Sequence, residues 1–309
     1  MYSGYLQLHL ARGVGEATIQ RLLMRLDQKG VKLNDFLNYS IKDTLEFGIS
    51  IEQAKAIFNA QNILEDVYKE LEKQQTKLIP MTSPLYPLKL KKRLGSKSPY
   101  LLYAWGNIEL LARKMVGFCG SRNVSAKGIE VAKDCAEQVS SWVWTTVSGG
   151  ARGVDATVHS TTLKSQGSTI VVLPEGILKY KAHPDLATFI NKENTLFLSQ
   201  FPPKMPWSIA NAMQRNKVIC GLSEALIVIE SGMKGGTFEA GSEAIRLKLP
   251  LFVADYATPS DSAKGNAYFL SKGAHALRRK GETGKASLES LKNLVENQKE
   301  IEAVQEKLL

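Results

Sequence analysis

From Met115 onward the chain alternates between two hydrophobic rhythms. Short runs of consecutive apolar residues end near Phe118, Val147, Leu173, Leu198, Ile229 and Ala254, and between them apolar positions recur every three to four residues. The runs predict strands at 115–118, 143–147, 169–173, 195–198, 225–229 and 251–254, and the stretches between them predict helices at 126–140, 154–165, 184–191, 212–221 and 238–247. Strands that are apolar on both faces need helices above and below. The expected fold is therefore α/β, a doubly wound and mostly parallel sheet. Ligands of such sheets sit beyond the carboxyl ends of the strands, near the point where strand order reverses.

The first 75 residues follow the helical period alone. Ile19, Leu22, Leu23 and Leu26 share one face after the turn Arg12-Gly13-Val14-Gly15, and Ile51, Ala54, Ile57, Phe58, Ile63, Leu64, Val67 and Leu71 continue the pattern. This predicts a small all-helical domain over 1–75. Its Gly-Val-Gly turn resembles the hairpin of helix-hairpin-helix (SAM-like) modules, whose amides can meet a DNA phosphate; a plain packing module is the alternative. A short strand is expected at 77–80 and another at 100–106, both at a sheet edge where prolines and charges are tolerated. Between them Lys89, Lys91, Lys92, Arg93 and Lys97 read as a solvated face that could also touch a nucleic-acid backbone. The main domain is expected over 76–279. The tail, 280–309, carries the apolar stripe Leu288, Leu291, Leu294, Val295, Ile301, Val304 and Leu308, too little for a core of its own, and is expected to dock on the main body or on another chain.

Charge narrows the partner. A formal net charge of +10 draws a protein to polyanions, nucleic acid first. Cys119, Cys135 and Cys220 are far apart and form no paired ligand spacing with His9, His159, His183 and His275, so no metal site is expected. Cysteine usage and the lack of an apolar run near ~18 residues point to a cytoplasmic protein with no membrane partner.

The candidate chemistry sits at two strand ends. Gly120-Ser121-Arg122 and Ser148-Gly149-Gly150-Ala151-Arg152-Gly153-Val154-Asp155 each follow an apolar run and open into a helical pattern. Small residues let a ligand approach the backbone amides at a helix start, and arginines add fixed cations, so an anion site is the natural reading; the plain one is a pair of ordinary strand-to-helix turns. Asp155 reads as a cap that holds its turn rather than as a ligand contact. Trp207, Tyr180 and Phe201 lie in loops and offer rings on which bases could stack.

Together with Gln214-Arg215-Asn216-Lys217, Val228-Ile229-Glu230 and Gly265-Asn266, these motifs resemble the DNA-processing protein A family, DprA or Smf, over most of the chain. The resemblance implies an extended Rossmann-like domain that binds single-stranded DNA as a homodimer, aids RecA loading during natural transformation, and is neither an enzyme nor cofactor-dependent. By motif, Gly120, Ser121 and Arg122, Ser148, Gly149, Gly150, Arg152 and Gly153, and Arg215, Asn216 and Lys217 are expected to contact DNA phosphates.

The chain departs from the family at Ser231-Gly232-Met233-Lys234-Gly235-Gly236-Thr237-Phe238-Glu239, which is similar to a loop of LOG-type nucleotide phosphoribohydrolases. As part of a binding module, Lys234, Gly235, Gly236 and Thr237 add a phosphate cradle. As part of a nucleotide sensor or N-glycosidase, the same loop holds a 5′-phosphate with Glu239 beside the ribose. The plain reading of Glu239 is a first-turn glutamate favoured by the helix dipole.

Overall fold

The computed structural model describes residues 2–182, 184–279 and 284–297. The chain divides into two compact units: one of residues up to 105 with 175–180 and 198–207, and one of 106–174, 181–197 and 208 onward.

The first unit begins with helices α1 (Ser3–Leu10), α2 (Glu16–Gln28), α3 (Leu33–Phe36), α4 (Ile41–Thr44), α5 (Ile51–Asn59) and α6 (Gln61–Lys73). Their apolar stripes meet inside, where Leu6, Leu8, Ile19, Leu22, Phe36, Phe47, Ile57 and Leu71 are buried. A capping box starts α5: Ser50 Oγ accepts from Gln53 N (3.2 Å) and Gln53 Oε1 accepts from Ser50 N (2.9 Å). Strands β1 (Lys77–Pro80) and β2 (Leu101–Gly106) pair antiparallel, and helix α7 (Leu88–Leu94) lies between them in sequence. The basic segment is thus partly helical, because Leu90 and Leu94, four residues apart, are buried together.

A polar cluster ties the helices to β2. His9 Nδ1 is 2.8 Å from the Tyr103 hydroxyl and its ring stacks on that tyrosine. Glu16 Oε1 accepts from the Tyr100 amide at 2.9 Å. Burial lowers the His9 pKa to about 3 and raises that of Glu16 to about 7, the Tyr100 amide acting against the second shift.

In the second unit strands and helices alternate: β3 (Met115–Cys119), α8 (Ala126–Ser141), β4 (Thr145–Ser148), α9 (Val154–Lys164), β5 (Ser168–Leu173), α10 (Pro184–Ala187), β6 (Thr195–Ser199), α11 (Ile209–Leu222), β7 (Ala225–Val228), α12 (Gly236–Arg246), β8 (Leu251–Ala254), α13 (Asn266–Ser271) and β9 (His275–Leu277). The strands lie in the order β6-β5-β4-β3-β7-β8-β9, with β5-β4-β3-β7-β8-β9 parallel throughout. Alternation along β3 covers both faces. Val116 and Phe118 join a core with Ala132, Cys135, Val139, Val154 and Val158 of α8 and α9, while Gly117 meets Ser223, the residue that ends α11, on the other face. The fold is the expected doubly wound, mostly parallel α/β sheet preceded by helices.

Differences from expectation are local. β4 starts at Thr145, because Val143 is part of the turn that closes α8: its amide donates to Ser140 O and its φ is 59°. The helix expected at 184–191 ends at Ala187, and β9 was not foreseen. Leu288, Leu291 and Val295 pack into the core with α8, so this part of the tail docks on its own chain. Ile301, Val304, Leu308 and His183 lie outside the described residues.

Candidate nucleic-acid interface

Strand order reverses at β3, which has β4 on one side and β7 on the other. Because the three strands are parallel, the loops after them, 120–125, 149–153 and 229–235, leave one edge of the sheet. These loops hold Gly120, Ser121, Arg122, Gly149, Gly150, Arg152, Gly153, Lys234 and Gly235.

Close backbone approach joins the first two. A side chain at Gly153 would lie 2.4 Å from Ser121 O and 2.8 Å from Arg122 O, and its φ of 80° also favours glycine. Val154 N donates to Ser121 O (3.3 Å), and Arg152 Nη2 donates to Asn123 Oδ1 (3.0 Å). On the other side Ser121 N donates to Glu230 O (2.9 Å). Arg122, Arg152 and Lys234 are exposed, and Lys217 is half-buried. Gly153 and Gly235 are the N-caps of α9 and α12, and neither helix start has a side-chain cap. Amides and fixed cations therefore converge on three adjacent loops, the arrangement that holds phosphates.

Four residues expected to touch phosphate, Ser148, Gly149, Arg215 and Asn216, are buried and hydrogen-bonded within the scaffold. Ser148 is fully buried at the end of β4, 2.8 Å from Phe118 O and 2.9 Å from Asp155 Oδ1. Arg215 is 6% exposed; its Nη1 donates to Val172 O at 2.8 Å, and its Nε has no partner among the described residues. A methyl group on Gly149 would sit 1.7 Å from that Nη1, so glycine there makes room for the guanidinium. Burial lowers the Arg215 pKa, the carboxylate of Asp155 opposing the shift and the charge of Arg122 adding to it. Asn216 is also buried and donates from Nδ2 to Gly236 O (2.9 Å), pinning the start of α12. Gly149 is buried, and its carbonyl accepts from His159 Nε2. These residues sit on the sheet side of the loops, where solvent does not reach.

Asp155 does what its position suggests. Its second oxygen accepts from Ala151 N (3.3 Å), so one carboxylate braces both ends of the β4–α9 turn. His159 supports the turn from beneath: Nε2 donates to Gly149 O at 2.7 Å, and Nδ1 therefore accepts from the Thr169 hydroxyl, also at 2.7 Å. Burial lowers the His159 pKa and keeps this ring neutral.

Sequence reasoning missed two hubs. Glu230, which the sequence offers only as the end of the Val228-Ile229-Glu230 motif, is fully buried and accepts from Ser125 N (2.9 Å), from the Ser125 hydroxyl and from Ser262 Oγ (2.5 Å). Asn266 donates from Nδ2 to Ile229 O (2.9 Å) and Ala254 O (2.8 Å) and accepts from Ser231 N (2.8 Å), locking the ends of β7 and β8. A buried polar side chain this well satisfied is structural. Glu239 is exposed in the first turn of α12, with Thr237 half-buried before it. Of the three aromatic residues singled out, Phe201 is buried and Trp207 is 45% exposed; both belong to the first unit, as does Tyr180.

A family model, DNA recombination-mediator protein A, matches residues 77–286. The chain belongs to that family. The matched span holds every strand and every loop described above, and leaves α1–α6 outside it. Among curated members, the Bacillus subtilis DNA processing protein DprA is 29% identical over 227 residues, 70% of this chain and 75% of that one. The Streptococcus pneumoniae DprA is 25% identical over 268 residues, covering 81% and 91%. The chain spans 61% of the Escherichia coli protein Smf, at 26% identity. The X-ray structure of the S. pneumoniae DprA shares the fold, with a TM-score of 0.75 over 90% of this chain and 94% of that one at 22% identity. DNA processing protein A of Helicobacter pylori matches with a TM-score of 0.56 over 65% and 90%, at 23% identity. Among the described residues no helix is long and apolar enough to cross a membrane.

Proposed function

We propose that this protein binds single-stranded DNA through its phosphates at the carboxyl edge of the β4-β3-β7 strands, and that as a homodimer in the cytoplasm it passes the strand to a RecA-type recombinase. The observation that carries the reading is the convergence of exposed Arg122, Arg152 and Lys234 on three neighbouring loops, beside two helix starts that no side chain caps. Contacts of this kind are blind to base sequence, as a mediator handling arbitrary strands requires. The H. pylori relative, whose structure is described in terms of its single-stranded DNA binding mode, supports the choice of ligand. No cofactor and no catalytic group enters this reading.

Arg215 and Ser148 act here by position. The buried guanidinium fills the space under Gly149 and adds positive potential from behind the loops, while Ser148 and Asp155 set the shape of the turn. The test is binding of a dT oligonucleotide at physiological salt. Replacing Arg122 and Lys234 by alanine is expected to weaken binding about tenfold, at ~0.7 kcal/mol for each exposed charge–phosphate contact. Unchanged affinity with an unchanged melting temperature would overturn the assignment of these loops.

A further inference from the structure

The first unit carries a cationic surface that the site above does not use. Residues 81–100 contain Lys89, Lys91, Lys92, Arg93 and Lys97 and no aspartate or glutamate, so this stretch holds +5 of the chain's net +10. Lys91, Lys92 and Lys97 are exposed and pair with no carboxylate among the described residues.

The three are held in one place. Helix α7 buries Leu90 and Leu94 and so turns Lys91 and Lys92 outward. Gly95, at φ 55°, ends the helix and starts a tight turn over Gly95–Lys97. Ser98 then ties that turn back, its Oγ lying 3.2 Å from Leu90 O and 3.5 Å from Lys91 O. Lys97 thus lies in the tied turn that directly follows α7. Helix α2 braces the same stretch through Gln20 Nε2, which donates to Ser98 O at 2.6 Å, and through Glu16 at the Tyr100 amide.

The helix dipole favours cations in the last turn of α7, which accounts for Lys91 and Lys92. It does not account for Lys97 or for twenty residues without one acid. We infer that this surface is a second nucleic-acid site, which grips the backbone of duplex DNA independently of the loops in the other unit. Lysine is depleted in protein–protein interfaces, and no aromatic ring is exposed in this patch to anchor a partner protein or to stack on unpaired bases. An interfacial membrane helix needs an outward apolar face, whereas Leu90 and Leu94 point inward and only Leu85 and Leu88 are exposed. What remains is a set of exposed ammonium groups on one short, braced segment, suited to phosphates of a regular helix, with no sequence preference.

The test uses the full chain with a blunt 20-base-pair duplex, a dT oligonucleotide and phosphatidylserine vesicles, over a range of salt. Changing Lys91, Lys92 and Lys97 together to alanine is expected to flatten the duplex plot of log K against log salt by about 2 to 3, with each lost phosphate contact worth about 0.9. Binding of the dT oligonucleotide should not change. The variant with all three changed to arginine should keep the duplex slope, which separates charge from packing. Conversely, Arg122→Ala with Lys234→Ala should weaken dT binding and leave these three duplex contacts in place, so this inference and the proposed single-strand site fail separately. An unchanged duplex slope in the alanine variant overturns the inference. So does loss of slope in the arginine variant, an equal loss on dT, or an effect on vesicles alone.

Discussion

Gly149→Ala isolates the relation between the β4–α9 turn and the arginine beneath it. The φ of Gly149 lies outside the left-handed region, so the added methyl group brings no backbone strain and its cost is a clash with Arg215 Nη1 at 1.7 Å. The guanidinium is the end of a flexible side chain and can move, but only by leaving Val172 O, a charged hydrogen bond in a site closed to water. Losing such a bond costs about 2 kcal/mol. For a unit of this size that is a fall in melting temperature of about 4–8 °C. The decisive assay is a double-mutant cycle by urea denaturation. With Arg215→Ala in place there is nothing to displace, and Gly149→Ala should then cost less than ~0.5 kcal/mol, a coupling of at least ~1.5 kcal/mol. If the two substitutions add within ~0.5 kcal/mol, the turn is not built around the guanidinium and the scaffold role given to Arg215 is wrong.

Four further outcomes follow from the same structure. His9, with its pKa lowered to about 3, stays neutral in the folded state while the unfolded chain takes up a proton below about 6.5, so the stability it contributes is lost as pH falls from about 6.5 towards 3. Glu16, raised to about 7, behaves oppositely: its contribution is complete below about 4.5 and is lost as pH rises to about 7. The stability difference between wild type and His9→Asn should therefore grow with pH over the first window, and that between wild type and Glu16→Gln should shrink over the second, each by at most ~1.4 kcal/mol per pH unit; flat differences in urea midpoints would refute both. Val143 is 74% exposed at a φ of 59°, where a β-branched side chain is strained, so Val143→Gly should stabilise the protein by about 1 kcal/mol, read as a rise in melting temperature. Glu239→Gln should leave dT affinity unchanged or slightly improved, and neither form should release free base from nucleoside monophosphates; base release that the substitution abolishes would favour the N-glycosidase reading instead.

Much of this was legible because apolar runs and helical spacing locate elements directly. The strands from β3 to β8 end within a residue or so of where their apolar runs end, and the turn-holding role of Asp155 followed from its place in the first turn of α9. What was not read was depth. Arg215 stands in a polar quartet, Gln214-Arg215-Asn216-Lys217, and looked like surface, yet Arg215, Val218, Ile219 and Leu222 form the buried i, i+3, i+4, i+7 stripe of α11. The signal was present, and the charge of the residue overrode it. Val143 was read into β4 because an apolar residue in a turn is indistinguishable by composition from one in a strand. Glu230 and Asn266 acquire their partners from loops far away in sequence, Ser125 and Ser262 for one and Ile229 and Ala254 for the other, and no local pattern announces such a hub. The helicity of α7 was hidden by its lysines, although Leu90 and Leu94 carry the period.

The most direct test of the central claim is the salt dependence of dT binding by wild type and by a variant with Arg122, Arg152 and Lys234 all changed to alanine. If three phosphates meet these three cations, the plot of log K against log salt should flatten by about 2, at about 0.7 for each contact on a single strand. Parallel plots would contradict it, and would mean that DNA, if bound, is held elsewhere.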